Sequence, residues 1–205
     1  MDTHGVGKFA TCVADDLLTC FQVWAAVFEH EVIFFDVHPI SNSAGLFLLT
    51  QATLVLQPTA SQKHKIQGTY VHSALNLVGV AALISGLVNI EINKASHPET
   101  RFTSIHGIMG LVTYILIFIQ ALVGFAQFYM PELVFGSVDK AKSVYKYHRW
   151  SGYVILLMML ATVCAATQTT FNKNMLHIRL WAVLVAAVLV VAGVTPRIKK
   201  HKLGL

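Results

Sequence analysis

An all-α integral membrane bundle is the fold class that three observations predict. The chain of 205 residues is 55% hydrophobic and only 12% charged, with a mean hydropathy of +0.62, whereas a soluble domain carries roughly 25% charged residues. The apolar residues gather into long windows without a charge. The basic residues sort to alternate connections between those windows. Length suits one domain of several spans rather than two independent units.

Taken in order, the first element is the weakest. Between Asp16 and Glu29 stand only twelve uncharged residues, "LLTCFQVWAAVF", flanked by Asp15, Asp16, Glu29 and Glu31. That is short of the roughly 20 a spanning helix needs. There is no basic leader and no small-residue cleavage site, so it does not read as a signal peptide. Residues 1–35 are therefore an amino-terminal segment that reads as a poor first span, an interfacial helix or a damaged exon. Five windows follow, at Val37–Gln62, Ile66–Ile90, Phe102–Pro131, Trp150–Asn172 and Leu180–Pro196. The last is at the lower length limit, where Arg179 and Arg197 can snorkel to the two interfaces. The expectation is a six-helix bundle, with residues 36–195 as the transmembrane domain and 196–205 as a basic tail.

The connections agree. "QPTASQKHK" (57–65), "NKASHPETR" (93–101), "MPELVFGSVDKAK" (130–142) and "TTFNKN" (169–174) are polar, Pro-containing or Asn-rich breaks. Pro39 falls in a first helical turn, where a missing N–H costs little, and Ser104 is placed to cap a helix. Short loops make sequential helices antiparallel neighbours.

The formal charge of +5 is a membrane signal here and not a nucleic-acid one. Threading six spans places Lys8, Lys63, Lys65, Lys140, Lys142, Lys146, Arg149, Arg197, Lys199, Lys200 and Lys202 on one face. Only Lys94, Arg101, Lys173 and Arg179 fall on the other. By the positive-inside rule the richer face is cytoplasmic. Cys12, Cys20 and Cys164 are odd in number and lack any metal-site spacing, which argues against both a disulfide framework and a thiolate metal site.

Four of the ten histidines lie at helical positions within spans: His38, His72, His106 and His148. Each is near the amino-terminal end of its helix. Because successive helices reverse direction, His38 and His106 fall near the non-cytoplasmic face, and His72 and His148 near the cytoplasmic one. Imidazoles are costly in hydrocarbon, so they mark function. Structural hydrogen bonding is one reading. A proton relay is another, yet such paths recruit carboxylates, and the windows hold none deep in the bilayer. The third is ligation. Two imidazoles cannot complete a zinc site, but they supply both axial ligands of a haem, leaving no open position and so favouring electron transfer. Two such centres, less than about 27 Å apart on a helix rising 1.5 Å per residue, would form a wire across the lipid. Gly107, Gly110, Ser151 and Gly152 leave room beside His106 and His148, either for a macrocycle or for helix packing.

The motifs His38-Pro39, His72-x-x-Leu75, Ser104-x-His106-Gly107 and Tyr147-His148-x-x-Ser151-Gly152 resemble the cytochrome b561 family, most closely its compact single-domain members, over about residues 36–195. The resemblance implies six helices around a four-helix core with two haems b. His38 and His106 would bind the non-cytoplasmic haem, and His72 and His148 the cytoplasmic one. It implies one-electron transfer from cytoplasmic ascorbate to monodehydroascorbate or ferric iron on the opposite face, in an endomembrane or vesicle membrane. A homodimer is compatible with it, and a DOMON domain is not expected. A haem-binding sensor or scaffold without turnover, or an apolar bundle without haem, are the alternatives.

Ascorbate is an anion at neutral pH, so a cationic approach is expected on physical grounds. Lys63 and Lys65 precede His72, while Lys140, Lys142, Lys146 and Arg149 surround His148 in sequence. These are candidate ascorbate residues, or else cations that set topology against anionic lipid. Tyr145, Tyr147 and Trp150 read as interfacial anchors. The other face carries Glu29, Glu31, Asp36, Glu91 and Glu99 with His30 and His97, suited to a hard cation. Lys94 and Arg101 would suit an anionic acceptor.

Overall fold

Apolar sequence in long runs can satisfy its backbone in lipid only as helix or closed barrel, and helix is what forms. The computed structural model describes residues 20–56, 61–198 and 203. The expected start of the first span, the first four residues of the 57–65 connection and most of the basic tail lie outside the described residues. Among those described there is no strand. The helices are α1 (20–28), α2 (Val37–Val55), α3 (Gln62–Ala95), α4 (Ile105–Tyr129), α5 (Pro131–Phe135), α6 (Val138–Ser143), α7 (Tyr145–Ala166) and α8 (Leu180–Val194).

Four helical stretches among the described residues are long and apolar enough to cross a membrane: Gln62–Ala95, Ile105–Tyr129, Val138–Ala166 and Leu180–Arg197. Helix α2 is long enough at 19 residues but too polar to join them. Its Ser43 and Thr50 are buried, and so are Gly45, Leu46, Ala52 and Leu54. The polar residues of α2 face protein and not lipid, so its overall apolarity is low for a reason of packing. The nine described residues of α1 lie against α2: the Cys20 thiol and Trp24 indole N–H donate to the carbonyl and hydroxyl oxygens of Ser43. Ala26 and Val27 are buried against Ile40, Phe171 and Ile178.

Two antiparallel hairpins dominate the packing, α2 with α3 and α4 with α7. Small residues let the first pair close up, because a Cβ on Gly45 would come within 2.6 Å of Leu83 and one on Gly79 within 3.2 Å of Leu48. A core of Leu46, Leu54, Leu83, Tyr114, Ile117, Ile155, Leu156, Met159, Leu160, Val190 and Val194 draws from α2, α3, α4, α7 and α8 and joins the hairpins.

The connections are more structured than their composition suggests. Ser61 accepts from the His64 N–H and starts α3 at Gln62, so Lys63 and Lys65 lie in its first turn and not in a loop. The 130–142 stretch folds as α5 and α6 around Gly136, whose φ of 77° suits a residue without Cβ. Ser104 caps α4 as its position predicts, accepting from the Gly107 N–H.

Candidate functional site

The four histidines occupy the two hairpins, one on each of α2, α3, α4 and α7, and none is exposed. Three of them are held in the same way. Nδ1 of His38 lies 3.0 Å from the Gly86 carbonyl oxygen, Nδ1 of His72 lies 2.8 Å from that of Ala52, and Nδ1 of His106 lies 3.0 Å from that of Thr162. A carbonyl oxygen only accepts, so each Nδ1 carries the proton and each Nε2 keeps a free lone pair. A backbone acceptor behind the ring is the usual support of a metal-binding imidazole.

These acceptors follow one rule. Gly86 is 14 residues past His72, Ala52 is 14 past His38, and Thr162 is 14 past His148. Each histidine thus reaches across its hairpin to the residue fourteen places beyond its partner's own histidine. Antiparallel helices of one length make this reciprocal, and it separates the two levels by about 21 Å along the helices. By the same rule the acceptor for His148 would be Gln120, 14 past His106. There the geometry differs. The His148 Nδ1 is buried without a partner, and the Gln120 side chain instead donates from Nε2 to the His148 carbonyl at 2.6 Å.

At the first level the His38 and His106 ring centres are 6.1 Å apart, with planes at 84°. Two imidazoles on opposite sides of one porphyrin iron, each at a metal–nitrogen distance of about 2 Å, hold their centres roughly 6 Å apart. Spacing and donor type therefore suit a haem here. Phe35 stacks on His38 at 5.7 Å. At the second level His72 is held by the Ala52 carbonyl. The His148 ring sits against Gly124, where an added Cβ would come within 2.8 Å of Cε1.

The small residues beside His106 and His148 have protein neighbours. A Cβ on Gly110 would meet Thr162, and one on Gly152 would meet Gln120. Gly107 faces its own cap, Ser104. Ser151 donates to the Gln120 Oε1 and to helix carbonyls. Sequence reasoning missed Asn42, Asn76, Gln120, Gly124 and Tyr114. For two of these a signal existed, since His-x-x-x-Asn-x-x-Gly occurs at 38–45 and again at 72–79. Both asparagines donate to the carbonyl of the histidine four residues earlier.

The six candidate cations are dispersed. Lys63, Lys65, Lys140, Lys142 and Lys146 are exposed, and Arg149 is half-buried beside His148. Lys142 pairs with Asp139 at 3.2 Å, and Lys146 lies over the Tyr147 ring at 5.0 Å. At the other end Arg101 pairs with Glu91 and lies 5.8 Å over Phe102, while Lys94 donates to Thr100. Lys94 and Arg101 are thus both engaged locally. Among the described residues no cluster of three or more His, Cys, Asp or Glu is placed to hold a metal ion, so ligation would fall to the imidazole pairs.

A helical membrane bundle with half-buried imidazoles on four helices, two of them meeting ring to ring, fits the class of integral membrane proteins that hold a cofactor between helices. Residues 37–173 match the model of eukaryotic cytochrome b561, and the chain belongs to that haem-binding family. It is 26% identical to the human transmembrane ascorbate-dependent reductase CYB561 over 69% of this chain and 55% of the relative. It is 28% identical to the rice probable ascorbate-specific transmembrane electron transporter 1 over 70% of this chain and 64% of the relative. With the mouse lysosomal membrane ascorbate-dependent ferrireductase CYB561A3 it shares 27% identity over 54% of this chain and 47% of the relative. The chain spans about half the length of the curated relatives it matches.

Proposed function

We propose that residues 36–195 form a transmembrane electron carrier with two b-type haems, taking single electrons from ascorbate at the cytoplasmic face. It passes them to monodehydroascorbate or ferric iron at the other. His38 and His106 hold one haem, and His72 and His148 the other. The observation that carries this reading is the shared setting of three of these imidazoles, with Nδ1 committed to a backbone carbonyl and Nε2 left free. When bound, a bis-imidazole haem supplies one-electron exchange with no open position.

The chain's residues do the rest. The hairpins fix two levels about 21 Å apart, and flat cofactors held at each bring their edges closer than that. The apolar core keeps water out between them. Lys63, Lys65, Lys140, Lys146 and Arg149 raise the local concentration of an anionic donor at the His72–His148 end. Lys142, paired with Asp139, contributes less. The basic connections and tail orient that end to the cytoplasm, in an endomembrane or vesicle membrane. The relatives' names, which specify ascorbate and in one case a ferrireductase in a lysosomal membrane, support donor, acceptor and location.

Purified protein tests the reading directly. Ascorbate should produce reduced b-type bands with two components. Absence of bands removes haem from the account, and bands that appear only with dithionite leave a haem protein without ascorbate turnover.

A further inference from the structure

The two levels are built from one repeated pattern, and besides the missing acceptor at His148 they differ in one polar contact between the hairpins. Eight residues after His106 stands Tyr114; eight after His148 stands Leu156. Tyr114 is buried, and its hydroxyl donates to the Asn42 Oδ1 at 2.5 Å, linking the α4–α7 hairpin to α2. Asn42 lies one turn from His38. Its Nδ2 donates to the His38 carbonyl at 2.8 Å and stands 3.2 Å from the His38 Nδ1. It also fills the notch left by Gly86, where a Cβ would come within 2.5 Å of Nδ2. Gly86 in turn supplies the acceptor for the same ring. At the other level Asn76 makes the matching bond to the His72 carbonyl, and Leu156 offers it no donor.

We infer that Tyr114 is a positioning residue for His38, acting through Asn42. The phenol holds the Asn42 amide in the Gly86 notch with the positive end of its dipole against the imidazole. A buried Oδ1 deprived of its donor loses its reason to stay there, since a buried acceptor left unsatisfied is costly. The amide dipole is strong in this setting because the surrounding dielectric is low. Its positive end disfavours any added positive charge on the group His38 ligates. The oxidised form of a haem carries one more positive charge than the reduced form, so the clamp raises the reduction potential of the His38–His106 centre and holds the His38 ring crosswise to His106.

This inference rests on the assignment of His38 and His106 to one haem, and its test separates the two. Holoprotein carrying Tyr114→Phe, Asn42→Leu and both together should be titrated for reduction potential, with EPR recorded for the oxidised centres. Tyr114→Phe should lower the potential of one centre and move one low-spin EPR signal, leaving the other unchanged. Asn42→Leu should lower the same potential further, and the double variant should match Asn42→Leu alone, since the phenol acts only through the amide. An unshifted Tyr114→Phe, equal shifts at both centres, or a second decrement in the double variant would overturn the clamp. His38→Ala serves as the separate control. If it leaves both components intact, the ligand assignment fails; if it removes one while Tyr114→Phe is silent, only the clamp fails.

Discussion

The His38–His106 level is knitted and the His72–His148 level is fitted. At the first, both Nδ1 atoms have backbone acceptors, Phe35 stacks on His38, and Tyr114 braces Asn42 from the opposite hairpin. At the second, only His72 has its acceptor, and the His148 ring is located by the shape of the Gly124 surface with its Nδ1 unpartnered. Helix length and reversal of direction set the depth of both levels alike. What makes them chemically different is decided at a few positions: Phe35 before His38, and Tyr114, Gln120 and Gly124 after His106.

The largest effect should come from removing a ligand at the fitted level. His72→Ala should delete one of the two b-type components and abolish reduction by ascorbate from the cytoplasmic face, while the other component still assembles in part. Difference spectra after ascorbate and then dithionite check this. Loss of the other component alone would reverse the pairing, and an unchanged spectrum would break the comparison altogether.

Gly124→Ala comes next, because it attacks the fit without touching a ligand. A Cβ placed 2.8 Å from the His148 Cε1 must move an imidazole held within the helix pair. Loss of support around a ligand typically costs 10–100-fold in affinity, so haem content at this level should fall by roughly that range in a competition assay with apomyoglobin. Gly152→Ala is the matched control. Its Cβ would meet the Gln120 Nε2 at 3.1 Å, the far end of a flexible side chain. A smaller loss is expected there, and equal losses would show that general crowding and not the His148 contact is responsible.

Gln120 offers a finer cut. Its side chain donates to the His148 carbonyl and accepts from Ser151. Gln120→Leu removes both bonds while keeping the volume, and polar contacts of this kind in membrane proteins average about 0.6 kcal/mol. The expected outcome is a stability loss of about 1 kcal/mol in reversible unfolding within detergent micelles, with spectral change confined to the His72–His148 centre.

These variants also mark how far the sequence could be read. The placing of the four histidines on four helices, and the meeting of His38 with His106, follow from windows and reversals that are written in composition. The α2 window was legible as a helix and read as a full span, but its buried polar face was not legible, because burial inside a bundle leaves no mark on hydropathy. The acceptors at Ala52, Gly86 and Thr162 were not legible at all: each acts through its carbonyl, which every residue has. Gly107 stood out beside His106 and Gly124 did not, because a glycine signals only that space exists, and the neighbouring helix decides what fills it. Lys63 and Lys65 read as loop residues because the capping role of Ser61 was not recognised. Their place at the start of α3 puts them on the same helix as His72, two turns and more away.

The smallest expected effects lie at the surface, and they sharpen the contrast between the two ends. Arg149 is half-buried beside a histidine of the fitted level, whereas Arg101 is exposed and already paired with Glu91. Neutralising Arg149 with Gln removes a charge that faces the donor's approach, so the ascorbate concentration for half-maximal reduction should rise several-fold. That rise should shrink as added salt shortens the screening length toward a few ångströms. Arg101→Gln breaks an exposed pair of a kind worth about 0–1 kcal/mol and stands at the far end from the donor, so ascorbate dependence should not move. If acceptor turnover changes in Arg101→Gln while donor dependence does not, the two faces are functionally separate. If both variants weaken the response to ascorbate equally, the donor does not enter at the basic end, and the assignment of the fitted level to the cytoplasmic face falls with it.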